Sequence, residues 1–163
     1  MSEAQCDSNA LELELRSDPR LLPVVRKKLR AWAAGQGWTA DQVDEIALAV
    51  DEALANVIRH AYGSEHCHPV LLTARAVRDP QRGEGLEIRL RDFGKQVDPA
   101  RICGRALDEP RPGGLGVHLM QAMMSSIEYQ PASGGGMLLT MRKYRDHVAR
   151  CGEPREGRHE PAP

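Results

Sequence analysis

Two polar residues, Glu52 and Asn56, have types and a spacing that could do chemistry together. They lie four positions apart in a segment of helical periodicity, so their side chains share one face of a predicted helix, with about 6 Å between them along the axis. The carboxamide oxygen of Asn56 suits a hard cation such as Mg²⁺, which keeps most of its waters and bridges to phosphate oxygens. The carboxylate of Glu52 could accept the proton of an attacking hydroxyl. Taken alone, such a pair is more often a solvated helix face.

A second candidate is the tripeptide Asp92-Phe93-Gly94, which follows a predicted strand of alternating residues. An ionised aspartate only accepts hydrogen bonds, so Asp92 suits an exocyclic amine such as that of adenine. The alternative is an ordinary turn at the end of a strand, because Asp and Gly are common turn formers.

The third candidate is the glycine run Gly113-Gly114-Leu115-Gly116, which precedes an apolar helix predicted from about Val117. Glycine lets the backbone approach a ligand closely, and the free amides of a helix N-terminus attract phosphate. A plain loop before a helix would look the same. The order and spacing of all three segments are therefore more informative than any one of them.

The hydrophobic periodicity predicts the elements that must position these segments. Alternating leucines at 11, 13 and 15 indicate a first strand, and Ser17-Asp18-Pro19 introduces a first helix that ends near Gly35. Thr39 and Gln42 fit a capping box for a second helix that runs to about Tyr62. Four further strands are predicted over 69–77, 86–91, 127–130 and 137–143, the first two of them paired as a hairpin. The stretch 94–112 has little periodicity and is predicted to be a long functional loop.

Length and composition bound the class of protein. A chain of 163 residues is long enough for one domain, and 22 Lys+Arg against 23 Asp+Glu give no field that favours nucleic acid or an anionic membrane. No apolar run approaches the length of a membrane span and no export signal is apparent, so a cytoplasmic location is expected. We expect a flexible N-terminus over 1–9, a single folded domain over 10–145, and a disordered polar tail over 146–163.

The three segments together resemble a known set of motifs. The run AVDEALANVIRHAY over 49–62, Asp92-x-Gly94 followed by Asp98-Pro99, and 113–117 resemble the N, G1 and G2 boxes of the GHKL ATPases. More closely, they resemble the bacterial anti-sigma-factor serine kinases, over nearly the whole of 11–143. The resemblance implies a histidine-kinase-like ATPase domain of the Bergerat type, an α/β sandwich whose helices cover one face of a mixed, largely antiparallel sheet.

The resemblance also implies roles for individual residues. Glu52 matches the general base of the family and Asn56 its Mg²⁺ ligand, while Asp92 matches the carboxylate that reads adenine. The loop positions around the nucleotide are matched by Gly94, Gly113, Gly114, Gly116 and Val117. Thr140 matches the position that supports adenine recognition, and 95–112 would form a lid over the triphosphate. Met137 departs from the family, whose members often carry Thr after the glycine turn.

The function implied by the resemblance is that of a kinase that binds Mg²⁺ and ATP and phosphorylates a serine of a STAS-type anti-sigma factor antagonist. Members of the family form homodimers and hold a sigma factor when the antagonist is phosphorylated. The alternative is a non-catalytic, nucleotide-dependent binding switch for a sigma factor or antagonist. Asp92-Phe93-Gly94 also spells a motif of eukaryotic-type protein kinases, but neither an HRD loop nor a VAIK-like strand accompanies it.

Overall fold

A computed structural model of the protein describes residues 10–63, 67–102 and 115–145. Over these ranges, five strands form one sheet in the order β1-β2-β3-β5-β4, and every described pairing is antiparallel. The strands are β1 (Ala10–Arg16), β2 (Pro69–Asp79), β3 (Gly83–Asp92), β4 (Ser126–Pro131) and β5 (Met137–Tyr144). The helices are α1 (Leu22–Gly35), α2 (Ala40–Asn56) and α3 (Leu115–Met123). The predicted fold class is confirmed, with a sheet that is antiparallel rather than mixed in its described part.

The helices begin where local capping chemistry allows them to. Asp18 accepts a hydrogen bond from the Arg20 amide and precedes a 3-10 turn, Pro19–Leu21, that leads into α1. The capping box predicted for α2 is present, because the Thr39 hydroxyl accepts from the Gln42 amide and the Gln42 side chain accepts from the Thr39 amide.

The end of α2 differs from the prediction. The sequence predicts one regular helix to about Tyr62, whereas α2 ends at Asn56 and the chain continues as a single π-helical turn, Val57–Ala61. A π turn inserts an extra residue into the helical ladder and is frequent at functional sites. Periodicity does not reveal it, since the apolar residues on either side keep helical spacing.

The hydrophobic core lies between the helices and one face of the sheet. Alternate residues of β3, namely Leu86, Ile88 and Leu90, are almost fully buried against the helices. The helices contribute a matching apolar stripe, made of Val25, Leu29, Val43, Ile46, Val50, Leu54 and Met120. The three helices therefore cover this face of the sheet, as predicted, and the residues between the core positions of each strand point to the opposite face.

Three predictions lie wholly or partly outside the described residues. They are the flexible N-terminus over 1–9, the disordered tail over 146–163, and the part of the predicted loop from 103 to 112. In the part of the chain that is described, no helix is long and apolar enough to cross a membrane.

Candidate functional site

Asp92 is the last residue of β3 and is 4% exposed. Its Oδ1 accepts a hydrogen bond from the Gly94 amide at 3.0 Å, and its Oδ2 accepts from the Met137 amide at 3.2 Å. Burial raises the pKa of Asp92, and the two backbone donors oppose that shift only in part. The carboxylate is thus held in one orientation at the end of the sheet. It is a hydrogen-bond acceptor that is largely shielded from water.

The turn after Asp92 is packed against the end of α2. A Cβ added to Gly94 would overlap the carbonyl oxygen of Ala61, the last residue of the π turn. Only glycine permits this approach of the two backbones. The next residue, Tyr62, accepts a hydrogen bond from the Phe93 amide at 2.7 Å through its hydroxyl. The π turn and the Asp92-Phe93-Gly94 turn therefore form one structural unit.

The glycine turn between β4 and β5 closes the other side of Asp92. Gly136 has a φ of 69°, a conformation that favours glycine, and a Cβ there would overlap the Asp92 carbonyl oxygen. The same turn presents the Met137 amide to the Asp92 carboxylate. Met137 thus contributes through its backbone, so the departure from the family's usual Thr leaves this contact intact.

Glu52 lies against the start of α3. A Cβ added to Gly116, the second residue of α3, would overlap the Oε2 atom of Glu52. Glu52 is half-buried, and its carboxylate lies beside the start of α3. The first and third predicted motifs are therefore in direct contact, although more than sixty positions separate them in the sequence.

Asn56 is the last residue of α2 and is also half-buried. It lies one helical turn beyond Glu52, immediately before the π turn, on the path that leads from Glu52 to the Gly94 contact. Among the described residues, no group of three or more His, Cys, Asp or Glu side chains could hold a metal ion. A carboxamide oxygen and phosphate oxygens are nevertheless a sufficient set for Mg²⁺, which is usually held by one or two protein ligands with substrate phosphates and waters.

Thr140 does not join this group of residues. It is paired with Arg89 on β3 and with Glu128 on β4, and its neighbours Leu139 and Met141 point into the core. Alternation along β5 therefore directs Thr140 to the opposite face of the sheet from Leu90 and Asp92. The strand register brings Met137, and not Thr140, level with Asp92. The part of Thr140 in adenine recognition stays a prediction.

The structure describes only some of the remaining predicted site residues. Val117 is half-buried in α3 and packs against the core. Gly113, Gly114 and most of the predicted lid lie outside the described residues, including the arginines at 105 and 111. The described start of that loop contains a 3-10 turn, Pro99–Arg101, capped by the Asp98 side chain.

Three residues that hold the site together were not singled out from the sequence. Ala61 ends the π turn and packs against Gly94, and Tyr62 acts through its hydroxyl on the Phe93 amide. Gly136 acts through a close approach to the Asp92 backbone. Gly136 is part of a visible glycine run, which predicts a turn but not the strand end that it contacts. For Tyr62 the only signal is its place in the motif after Asn56.

Comparison with known proteins identifies the family of the chain. A family model described as the histidine kinase-like ATPase domain matches residues 15–143. The serine-protein kinase RsbW of Bacillus velezensis is 30% identical over 142 residues, which cover 82% of this chain and 84% of the relative. RsbW of Bacillus subtilis is 27% identical over 146 residues, covering 85% and 87%. The anti-sigma F factor of Caldanaerobacter subterraneus is 30% identical over 145 residues, covering 84% and 94%.

A solved structure shows the same fold. The RsbU and RsbW domains of Rv1364c from Mycobacterium tuberculosis superpose with a TM-score of 0.56 at 18% identity. The match covers 83% of this chain and 31% of that one.

The fold, the site and the family match define an ATP-binding domain, and the chain belongs to the histidine kinase-like ATPase family. Within that family it is a member of the branch of anti-sigma-factor kinases, which are protein serine/threonine kinases.

Proposed function

We propose that this chain binds Mg²⁺·ATP along the C-terminal half of α2 and transfers the γ-phosphoryl group to a serine of a STAS-type anti-sigma factor antagonist. The observation that carries the proposal is the convergence of three distant motifs on one helix. Glu52 contacts Gly116, while the π turn that follows Asn56 contacts Gly94. A nucleotide lying along α2 would have its base near Asp92 and its phosphates near Glu52 and the start of α3.

The residues at the two ends of such a site suit the adenine and the phosphates of ATP, respectively. The buried carboxylate of Asp92 would accept a hydrogen bond from the exocyclic amine of adenine. Gly116, together with Gly113 and Gly114 that precede α3 in the sequence, would let backbone amides approach the phosphates, and the helix N-terminus favours their negative charge. Gly94 and Val117 would line the space between these ends.

Glu52 is the group that can take a proton in the transfer step. The oxygen of the substrate serine forms a bond to the γ-phosphorus, and the bond from that phosphorus to the β–γ bridging oxygen breaks. The serine proton passes to the Glu52 carboxylate, and ADP carries away the bond's electron pair. Glu52 is half-buried, and the proposal requires its carboxylate to be reached by a hydroxyl from a partner protein.

Asn56 is the residue that would hold the magnesium ion, through its side-chain oxygen. A bound Mg²⁺ would neutralise part of the charge on the β- and γ-phosphate oxygens. The chain's own contribution is position, because α2 fixes Asn56 one turn from Glu52.

The partners follow from the branch of the family. We propose a cytoplasmic homodimer that binds a sigma factor and exchanges it for the antagonist. Phosphorylation adds close to two negative charges at the antagonist's surface, which would weaken its complex with this chain and leave the sigma factor bound. The name of the relative from Caldanaerobacter subterraneus, anti-sigma F factor, supports the sigma-factor part of this proposal.

The test is transfer of labelled phosphate from ATP to a recombinant STAS-type antagonist from the same genome, with and without Mg²⁺. We expect a Mg²⁺-dependent phosphoserine on the antagonist, located by mass spectrometry. Transfer should be lost in Glu52→Ala and in Asn56→Ala. ATP binding without any transfer by the wild type would instead favour the non-catalytic, nucleotide-dependent switch.

A further inference from the structure

Tyr62 connects the segment after the π turn to the turn that carries Asp92, and the proposed transfer reaction does not use its side chain. Its hydroxyl donates a hydrogen bond to the carbonyl oxygen of Pro69 and accepts one from the amide of Phe93, both at 2.7 Å. Tyr62 is 8% exposed, whereas the residues that supply the two partners of its hydroxyl, Pro69 and Phe93, are exposed. Loss of the hydroxyl would remove both hydrogen bonds, and with them the connection between the segment after the π turn and the Phe93 amide.

The aromatic ring of Tyr62 is fixed as firmly as its hydroxyl. The ring of His68 stacks on it with 4.5 Å between centroids and an angle of 9° between planes. His68 is tied in turn to the fully buried Ser17, since the Ser17 amide donates to the His68 carbonyl at 2.8 Å and the His68 amide donates to the Ser17 hydroxyl at 3.1 Å. The Tyr62 hydroxyl therefore has a defined place relative to the sheet.

The Phe93 amide that Tyr62 holds belongs to the peptide group directly after Asp92. The same turn is closed by the Asp92 carboxylate, which accepts from the Gly94 amide at 3.0 Å. A rotation of the Asp92–Phe93 peptide would move both the Gly94 amide and the carboxylate that depends on it. The Tyr62 hydroxyl opposes that rotation from the side of α2, and the Met137 amide fixes the other carboxylate oxygen from β5.

We infer that Tyr62 is a positioning residue for adenine recognition, whose hydroxyl holds the Phe93 amide and thereby keeps the Asp92 carboxylate directed at the exocyclic amine. The inference rests on the adenine-reading role proposed for Asp92. Burial raises the pKa of Tyr62, so its hydroxyl keeps its proton at neutral pH and can donate to Pro69.

The experiment compares the dissociation constants of Mg²⁺·ATP and Mg²⁺·ITP, because ITP carries a carbonyl oxygen where ATP has the exocyclic amine. Wild type, Tyr62→Phe, Asp92→Asn and Tyr144→Phe are measured in parallel. Tyr144 is the matched control, since it is 7% exposed and lies at the opposite end of β5 from Met137. We expect Tyr62→Phe to weaken ATP binding about tenfold and to change ITP binding less than about twofold. Tyr144→Phe should keep the wild-type ratio.

The outcomes separate the inference from the function on which it rests. If Tyr62→Phe weakens ATP and ITP binding equally, or weakens neither, the ratio of the two dissociation constants stays at its wild-type value. Either result would overturn the inference, and equal weakening would indicate a general structural role. A wild type that binds ATP and ITP equally well would contradict the role of Asp92 and overturn both. Should Tyr62→Phe not fold, His68→Ala removes the stacked ring that fixes the place of the Tyr62 hydroxyl, and it should weaken ATP binding more than ITP binding in the same way. A wild-type ratio in that variant would overturn the inference as well.

Discussion

At the scale of single residues, the site depends on side chains and backbone atoms that approach more closely than most residue types allow. Gly116 is the clearest case, because its Cα lies directly against the Glu52 carboxylate. A larger residue there would not unfold α3, which accepts any good helix former at its second position. It would instead move the carboxylate, which is the far end of a flexible side chain.

Gly116→Ala is therefore expected to separate stability from catalysis. Alanine is favoured over glycine in a helix by roughly 1 kcal/mol, so the free energy of unfolding should be unchanged or slightly higher. Phosphoryl transfer should fall by about one to two orders of magnitude, since small displacements of a catalytic group are costly. Thermal unfolding and single-turnover transfer measure the two effects. A variant with wild-type transfer would show that the contact with Glu52 does not matter.

The buried carboxyl group of Asp92 should make the free energy of unfolding depend on pH, in a direction that follows from its raised pKa. Burial raises its pKa in the folded state, so its stabilising contribution is fully present below the unfolded pKa of about 3.9 and is lost as pH rises through the folded pKa. The free energy of unfolding of the wild type, minus that of Asp92→Asn, should fall as pH rises from about 4. Denaturant titrations at a series of pH values measure this difference, and a difference that rises with pH would contradict the assignment.

At the scale of elements, α2 and its π turn organise the site. The helix carries Glu52 and Asn56 on one face, and the turn brings Ala61 against Gly94. The sequence predicts the helix, its capping box and the four-residue spacing, because these depend on local patterns. It does not predict the π turn or the approach of Ala61 to Gly94, because both are set by packing between segments more than thirty positions apart.

Gly94→Ala tests that approach, with Gly35→Ala as its matched control. The added methyl group at Gly94 would overlap backbone, which cannot move aside cheaply, so we expect a loss of about 1–3 kcal/mol in stability and a loss of ATP binding. A methyl group at Gly35, the last residue of α1, meets no other segment of the chain within 4 Å, so stability should be unchanged or up to about 1 kcal/mol higher. Equal effects of the two substitutions in thermal unfolding and ATP titration would contradict this account.

At the scale of the whole molecule, the two faces of the sheet differ in what they contact. One face packs against the helices and ends in Asp92, while the other carries an ionic cluster around Glu87. That carboxylate is 4% exposed and meets Arg75 at 2.7 Å and Arg89 and Arg142 at 2.8 Å. Alternation along each strand assigns residues to these faces, which is why the buried position of Asp92 follows from the sequence. Alternation also places Thr140 on the face of Glu87. The strand register, which brings Met137 level with Asp92, is set by turn length and does not follow from the sequence.

The Glu87 cluster predicts a pH dependence opposite to that of Asp92. Burial alone would raise the pKa of Glu87, but the hydrogen bonds from Arg75 and Arg142 outweigh it and lower the pKa. The stability contributed by Glu87 is therefore present above the unfolded pKa of about 4.3 and is lost as pH falls through the folded pKa. Because the arginines are partly solvated, we expect Glu87→Gln to cost about 1–3 kcal/mol at neutral pH and progressively less below about pH 4.

The matched control for Glu87→Gln is Glu128→Gln, which also removes a partner of Arg142. The Glu128 side chain is 49% exposed, so its loss should cost less than about 0.5 kcal/mol. Denaturant titrations of both variants at pH 7 and pH 4 test the cluster. Equal losses of unfolding free energy in the two variants at pH 7 would show that the buried ion pairs of Glu87 stabilise the fold no more than the exposed pair of Glu128.

The central claim is that one ATP site lies along α2, with the adenine near Asp92 and the phosphates near Glu52. The most direct test measures ATP binding and phosphoryl transfer in Glu52→Gln and Asp92→Asn. Glu52→Gln removes the proton acceptor and keeps the shape of the side chain, so it should bind Mg²⁺·ATP within about threefold of the wild type and transfer at least about a hundredfold more slowly. Asp92→Asn should weaken ATP binding by more than about tenfold. Normal transfer by Glu52→Gln, or normal ATP binding by Asp92→Asn, would contradict the claim.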